Sequence, residues 1–221
     1  MKRIPTDELL DSDAGTPAEV ADSLADLRRI NRWFGGARTT RRMVEQVAQS
    51  TKAASLSLLE VAAGSGYVAH AVRDAMAGRG IRVDVTLLDR TASHVGNGGR
   101  SIVGDALALP FRNASFDLVS CGLFAHHLSP EQLVQFVNEG LRVCRRAVLI
   151  NDLIRHPLHL ALVNAGTPLY RSRLTRHDAP ASVRQAYTRE EMVELMRKTR
   201  VASIEIRTYY LFRMGVIAWK I

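Results

Sequence analysis

Cysteine is almost absent: Cys121 and Cys144 are the only two in 221 residues. Two isolated thiols build neither a disulfide framework nor a CxxC metal knuckle. The fold must therefore rest on its hydrophobic core, and the simplest expectation is a reduced, cytoplasmic protein with no metal site. Aromatic residues are scarce at 6%, and they are not interleaved with basic residues in the way that stacks single-stranded bases. No apolar run approaches the ~20 residues of a membrane-spanning helix, which speaks against membrane insertion. The segment Met1 to Asp13 carries Pro5 and several acids but no apolar stretch like that of a secretory signal. What is plentiful is arginine. Lys and Arg number 30 against 22 Asp and Glu, for a formal charge of +8. They are scattered as pairs such as Arg28-Arg29, Arg41-Arg42 and Arg145-Arg146, not gathered in a tract. They read as solvated helix faces and make a nucleic-acid partner unlikely.

With 47% apolar and 24% charged residues, the chain suits one globular domain with a helical appendage over residues 1–52. Residues 1–15 are polar and read as a flexible lead-in. Thr16, Pro17 and Glu19 form a helix start with a capping box. Val20, Leu24, Leu27 and Ile30 then recur at helical spacing until Gly35-Gly36. A second helix is predicted from about Thr39 to Ser50, with Met43 and Val47 inward. From Ser55 apolar strands alternate with helices: Leu56 to Ala62, Ile81 to Leu88, Ser101 to Val103, Phe116 to Ser120 and Ala147 to Ile150. Continuous apolar strands of this kind belong to a parallel sheet covered on both faces. Val201 to Thr208 and Leu211 to Ile221 follow one another directly and predict an antiparallel hairpin closing the sheet. Arg155 to Tyr187 forms a connection long enough to be functional.

Four short segments carry chemistry. Glu60-Val61-Ala62-Ala63-Gly64-Ser65-Gly66 leads a strand through a glycine turn into a helix, where a backbone can approach a ligand beside a helix N-terminus. Asp89 ends the second strand, where a carboxylate can accept ribose hydroxyls, and Arg90 follows it. Gly104-Asp105-Ala106 precedes Leu109-Pro110-Phe111, and Ser115-Phe116-Asp117-Leu118-Val119 opens the fourth strand. A dinucleotide site fits less well, because G-x-G-x-x-G is missing. In this order and spacing, the segments over residues 56–152 resemble the class I S-adenosylmethionine (SAM)-dependent methyltransferases. The likeness extends to methyltransferases of bacterial secondary metabolism and to the quinone-biosynthesis C-methyltransferases. Ala62 stands where that family's first glycine is usual. Between Asp89 and Ser101 the chain is too short for the usual covering helix.

The resemblance implies a Rossmann-like α/β fold with a seven-stranded, mostly parallel sheet in residues 53–221. It also implies SAM as cofactor, with S-adenosylhomocysteine as product. Glu60, Ala62, Gly64, Gly66, Asp89, Arg90, Asp105, Ala106 and Cys121 become the expected cofactor residues. Cys121 to Leu128 follow the fourth strand and face the methyl group. The Asn/Asp-Pro-Pro-Tyr/Phe signature of base methyltransferases is absent there, and the adjacent His126 and His127 take its place. A histidine can deprotonate a hydroxyl near neutral pH, or it can simply pack at a helix start; His126 is the better candidate. Trp33, Arg155 and His177 are candidate substrate contacts. Trp33 and Phe34 either close over the cofactor as a lid or anchor the two N-terminal helices, and the insertion 155–187 is a candidate substrate lid. The expected reaction is methylation of a small-molecule acceptor at a phenolic or polyketide-like oxygen. C-methylation of a quinol-type ring comes next, then RNA methylation. A non-catalytic SAM-binding regulator is the alternative from another class. Oligomeric state stays open.

Overall fold

The computed structural model describes residues 1–10, 15–91 and 100–220. Seven strands form one sheet: β1 (Ser55–Val61), β2 (Arg82–Asp89), β3 (Arg100–Val103), β4 (Phe116–Gly122), β5 (Cys144–Leu153), β6 (Ser203–Tyr209) and β7 (Arg213–Trp219). Their order is β3-β2-β1-β4-β5-β7-β6. The first five are parallel, and β7 lies antiparallel between β5 and β6. Both the parallel sheet and the closing hairpin are as expected. From β1 the chain steps outward through β2 and β3, then returns to place β4 on the other side of β1. This reversal opens a crevice at the carboxyl ends of β1 and β4, where ligands bind in open α/β sheets.

Each central strand is buried on both faces, with alternate side chains entering different cores. Leu56 and Leu58 join Met43, Val47, Val72 and Met76 on one side, while Leu59 and Val61 join Phe136, Val137 and Met192 on the other. The first core is roofed by α2 (Gly36–Ser50) and α3 (Tyr67–Ala77), the second by α4 (Pro130–Val143) and α7 (Arg189–Met196). Each fully buried Leu or Val contributes roughly 1.5–3 kcal/mol. The helix α2 starts at Gly36, earlier than its periodicity suggests, because Gly35 takes a left-handed φ of 81° and turns the chain into it. It packs over β5 and β7, with Asn151 Nδ2 donating to Gly36 O at 2.8 Å and Thr40 Oγ1 at 2.9 Å. The expected gap in the covering helices falls on residues 92–99, outside those described.

Tyr209 of β6 and Met43 of α2 crowd β7 at Gly215. A Cβ on Gly215 would lie 2.6 Å from Tyr209 Cε2 and 3.0 Å from Met43 Sδ. Gly215→Ala is expected to destabilise the protein by about 1–3 kcal/mol through overpacking, read as a lower denaturant midpoint at unchanged m-value.

Two segments differ from the sequence reading. The long connection 155–187, for which the sequence pattern predicts no elements, holds α5 (Pro157–Gly166), a 3-10 turn (Thr167–Leu169) and α6 (Arg173–Gln185). The helix α6 packs against α1 (Pro17–Trp33), whose capping box at Thr16 and Glu19 is present as expected. Buried polar contacts join them. Ser23 Oγ lies 3.0 Å from Thr175 Oγ1, and Asp26 accepts from the backbone N–H groups of Arg171 and Ser172 at 2.8 and 3.1 Å. The second difference is residues 1–10, which are not loose. Arg3 donates to the carbonyls of Gln185, His126 and Leu128, and Asp178 accepts from the N–H groups of Leu9 and Leu10.

Candidate active site

The strand β1 delivers the chain into the turn Ala62–Gly66, where Ala62, Gly64 and Gly66 take positive φ of 52°, 50° and 70°. Ala62 therefore keeps the glycine conformation without the glycine, a strain of roughly 1–2 kcal/mol. A Cβ on Gly66 would fall 2.5 Å from Leu87 Cδ1, so α3 can approach β2 only over a glycine. A Cβ on Gly64 would meet nothing within 4 Å; that side of the turn faces open space. Asp89 locks the turn, its Oδ2 accepting from Gly64 N–H at 2.8 Å and its Oδ1 from Thr91 N–H at 3.1 Å. The backbone of Gly104 ties the next loop to β2 by donating to Asp89 O at 3.0 Å. Asp105 Oδ1 accepts from Leu107 N–H at 2.8 Å.

These residues form one wall of a cavity of about 1020 Å³. Of the expected cofactor positions, Glu60, Ala62, Gly64, Asp89, Arg90, Asp105 and Ala106 line it. Two do not. Gly66 acts from behind, as the left-handed N-cap of α3. Cys121 points into the core beneath α4, because strand alternation turns it away and leaves Gly122 to face the cavity; burial also pushes its thiol pKa well up.

The second chamber is apolar. The face of α1 carrying Leu24, Leu27 and Ile30 meets Leu162, Tyr170 and Phe212 across it. Trp33 and Phe34 stand at its rim, 66% and 42% exposed, so they are not core anchors. Arg155 and His177 lie elsewhere. The buried Arg155 guanidinium donates to the carbonyls of Met1 and Ala186 and pairs with Glu191, clipping the N-terminal segment to α7. His177 is half exposed beside Asp178 and does not reach the cavity.

A charged cluster also contributes to the cavity wall. His126 and His127 sit in a 3-10 turn (Ala125–His127) after β4. The buried His126 ring has Nδ1 2.6 Å from Asp152 Oδ1, while its backbone N–H donates to Asp152 Oδ2 at 2.9 Å. On its other side Nε2 lies 3.5 Å from Glu8 Oε1, and His127 Nε2 lies 3.9 Å from Glu8 Oε2. Glu8 Oε1 also accepts from Ser182 Oγ at 2.6 Å and Gln185 Nε2 at 2.7 Å. Burial disfavours charge on His126, but Asp152 and Glu8 outweigh it and hold its pKa up to about 10. Burial would raise the Glu8 and Asp152 carboxyls, yet the His126 partner keeps both below their ordinary values. Nearby, Arg213 begins β7 with its guanidinium buried in the cavity wall, and burial lowers its pKa to about 10. Glu8, Asp152 and Arg213 were not among the expected site residues. Only the adjacency of His126 and His127 hinted at this end in the sequence.

The His126 pKa has a consequence for stability. It is raised from 6.5 to about 10 on folding, so the stabilisation is complete below pH 6.5 and is lost as pH rises through about 10. Thermal midpoints measured across that window should fall for the wild type and fall less for Asp152→Asn.

Residues 59–150 match the family model described as a methyltransferase domain. Over this segment the chain carries a methyltransferase domain. No curated protein matches the sequence of the chain. Among solved structures, it resembles the plantazolicin methyltransferase BpumL in complex with S-adenosylhomocysteine, at 13% identity and a TM-score of 0.68, over 96% of this chain and 94% of that one. A SAM-dependent methyltransferase from Methanosarcina mazei is similar at 17% identity and a TM-score of 0.52, covering 76% of this chain and 93% of that one. An O-methyltransferase family 2 protein from Planctomyces limnophilus, solved with apigenin, is similar at 16% identity and a TM-score of 0.53, covering 75% and 50%. At these identities the likeness is one of fold. The chain has no helix, among the described residues, long and apolar enough to cross a membrane.

The wall around the glycine turn suits the SAM cofactor. Glu60 is buried, its Oε2 has no hydrogen-bond partner among the described residues, and burial pushes its pKa up to about 7. An orphaned carboxylate oxygen is costly unless something cationic or donating meets it. It shares the wall with the open side of Gly64 and the Asp89 carboxylate. Glu60→Gln is expected to weaken S-adenosylhomocysteine binding about 10-fold, the scale of one hydrogen bond to a charged group, measured by calorimetric titration.

Proposed function

We propose that this methyltransferase moves the methyl group of SAM to a hydroxyl oxygen of a small phenolic or polyketide-like acceptor. The observation that carries this reading is the lining of one cavity, which joins the glycine turn and Asp89 to apolar side chains such as Leu24, Leu27 and Leu162 and to Glu8, His126 and His127. An aromatic acceptor would fill the chamber and bring a polar edge to the cluster. The solved relative from Planctomyces limnophilus holds apigenin, which agrees with an acceptor of that kind.

On the cofactor side, Glu60 would take the ammonium group, Asp89 the ribose hydroxyls, and Asp105 with the Ala106 N–H the adenine; Arg90 flanks them. When bound, SAM supplies an electrophilic sulfonium methyl group. The protein's own tasks are to align the acceptor and accept its proton. Both ring nitrogens of His126 are engaged by carboxylates, so it acts as a fixed cation and organiser. Proton acceptance falls to His127 and Glu8 at the chamber's edge. We assign lid roles to Trp33 with the N-terminal extension, residues 1–52, and to the helical insertion, residues 155–187. Both border the chamber through α1, α5 and α6.

The test is formation of S-adenosylhomocysteine with a panel of phenols and quinols, with the methylated position read by mass spectrometry and NMR. Methyl ether products support the proposal. Methylation on ring carbon replaces it with the quinol reading. Cofactor binding without turnover of any acceptor makes the protein a SAM-binding regulator.

A further inference from the structure

We propose that Glu8, His126 and His127 form a binding site for a divalent first-row transition-metal ion at the acceptor end of the cavity. One ligand atom from each lies within 4.8 Å of the others, with Glu8 Oε1 3.5 Å from His126 Nε2 and Glu8 Oε2 3.9 Å from His127 Nε2. Donors bound at ~2.0–2.2 Å to one ion stand roughly 3–4 Å apart, so small rotations of these side chains complete the set. Two imidazoles and one carboxylate suit zinc or iron(II) rather than magnesium or calcium, which prefer all-oxygen shells.

The surrounding groups are those a metal site needs. A ligating histidine presents one nitrogen to the metal and donates its other N–H to a carboxylate; His126 Nδ1 lies 2.6 Å from Asp152 Oδ1. The ion would take the place of the Nε2 proton that His126 carries toward Glu8 in the metal-free protein. Ligating carboxylates are themselves held by hydrogen bonds, and Glu8 is held by Ser182 and Gln185. All three ligands face the cavity, and among the described residues no fourth protein ligand joins them, so coordination positions on the ion stay free for an acceptor. Sequence spacing could not reveal this site, since Glu8 lies 118 residues before His126 and is brought to it by the docking of residues 1–10 on α6.

The use of the ion rests on the acceptor reading above, although its binding does not. An ion with three protein ligands and free positions takes the acceptor's hydroxyl oxygen and lowers the pKa of that hydroxyl. With the lone pairs of His127 and Glu8 on the ion, the proton of the broken O–H bond passes to solvent instead of to them, and the oxygen keeps the electron pair that attacks the methyl group. Acceptors with two neighbouring oxygens, which chelate, would be preferred.

The experiment is titration of the full chain, freed of metal by a chelator, with Co²⁺ followed by visible absorption and with Zn²⁺ followed by calorimetry. One equivalent should bind. His127→Ala and Glu8→Gln should each weaken binding about 100-fold, and Asp152→Asn, in the outer shell, about 10–100-fold. His177→Ala, outside the cluster, should change nothing. His127 sits near the chamber edge with 20% of its side chain exposed, so its removal should leave the fold intact, as binding of S-adenosylhomocysteine would show. Absence of metal binding in protein that still binds S-adenosylhomocysteine, or equal metal affinity in His127→Ala and Glu8→Gln, overturns the proposal. Loss of S-adenosylhomocysteine binding in the unaltered protein would instead strike the functional reading.

Discussion

Asp89→Ala is expected to weaken S-adenosylhomocysteine binding by about 100-fold or more. Asp89 has two jobs in the structure. Its carboxylate accepts from the Gly64 and Thr91 N–H groups, and so shapes the turn that lies against the ligand. It also lines the cavity at the end of β2, where a ribose would be read. Hydrogen bonds to a charged group contribute about 1.5–3 kcal/mol each, and two of them correspond to at least a hundredfold in affinity. Asp89→Asn keeps one acceptor oxygen and should lose less. Calorimetric titration distinguishes the cases, and an Asp89→Ala protein with wild-type affinity would show that the cofactor is held elsewhere.

The second large effect is expected at His126. Removing it by His126→Ala leaves Asp152 a buried carboxylate without its cationic partner and deprives Glu8 of its nearest positive charge. Breaking a buried pair in this way costs about 3–5 kcal/mol, read as a shift in denaturant midpoint. Turnover should be lost with it. His127→Ala separates the two consequences, because His127 stands beside the cluster rather than at its buried centre. Its stability should change little while turnover falls by about 10²–10⁴, the scale of general acid–base catalysis. Full turnover in both variants would mean that the acceptor loses its proton somewhere else, or has none to lose.

The parts of this protein visible in the sequence are those built from local chemistry. The parallel sheet follows from apolar runs alternating with amphipathic helices, and the closing hairpin from two strands in succession. The glycine turn, Asp89 and Gly104-Asp105-Ala106 each follow the end of a strand, so the strand pattern sets them along one edge, and the resemblance to the methyltransferases ties them to one cofactor. Even Ala62, a departure from the expected glycine, keeps the left-handed backbone of the turn.

The acceptor end has no such local signature. Glu8, Asp152, His126 and Arg213 come from an N-terminal strap, β5, a turn after β4 and the start of β7, and nothing in their spacing joins them. The periodicity of Leu24, Leu27 and Ile30 marked an apolar helix face but not what it meets. Polar contacts of Ser23 and Asp26 with α6 turn that face to the cavity. Arg155 had the composition of a ligand contact, yet it is spent on backbone carbonyls and Glu191. A side chain's identity and local spacing determine which element it sits on and which way the backbone turns. Which charges end up buried together depends on long-range packing, because only the closed structure removes water from between them and makes their pairing count.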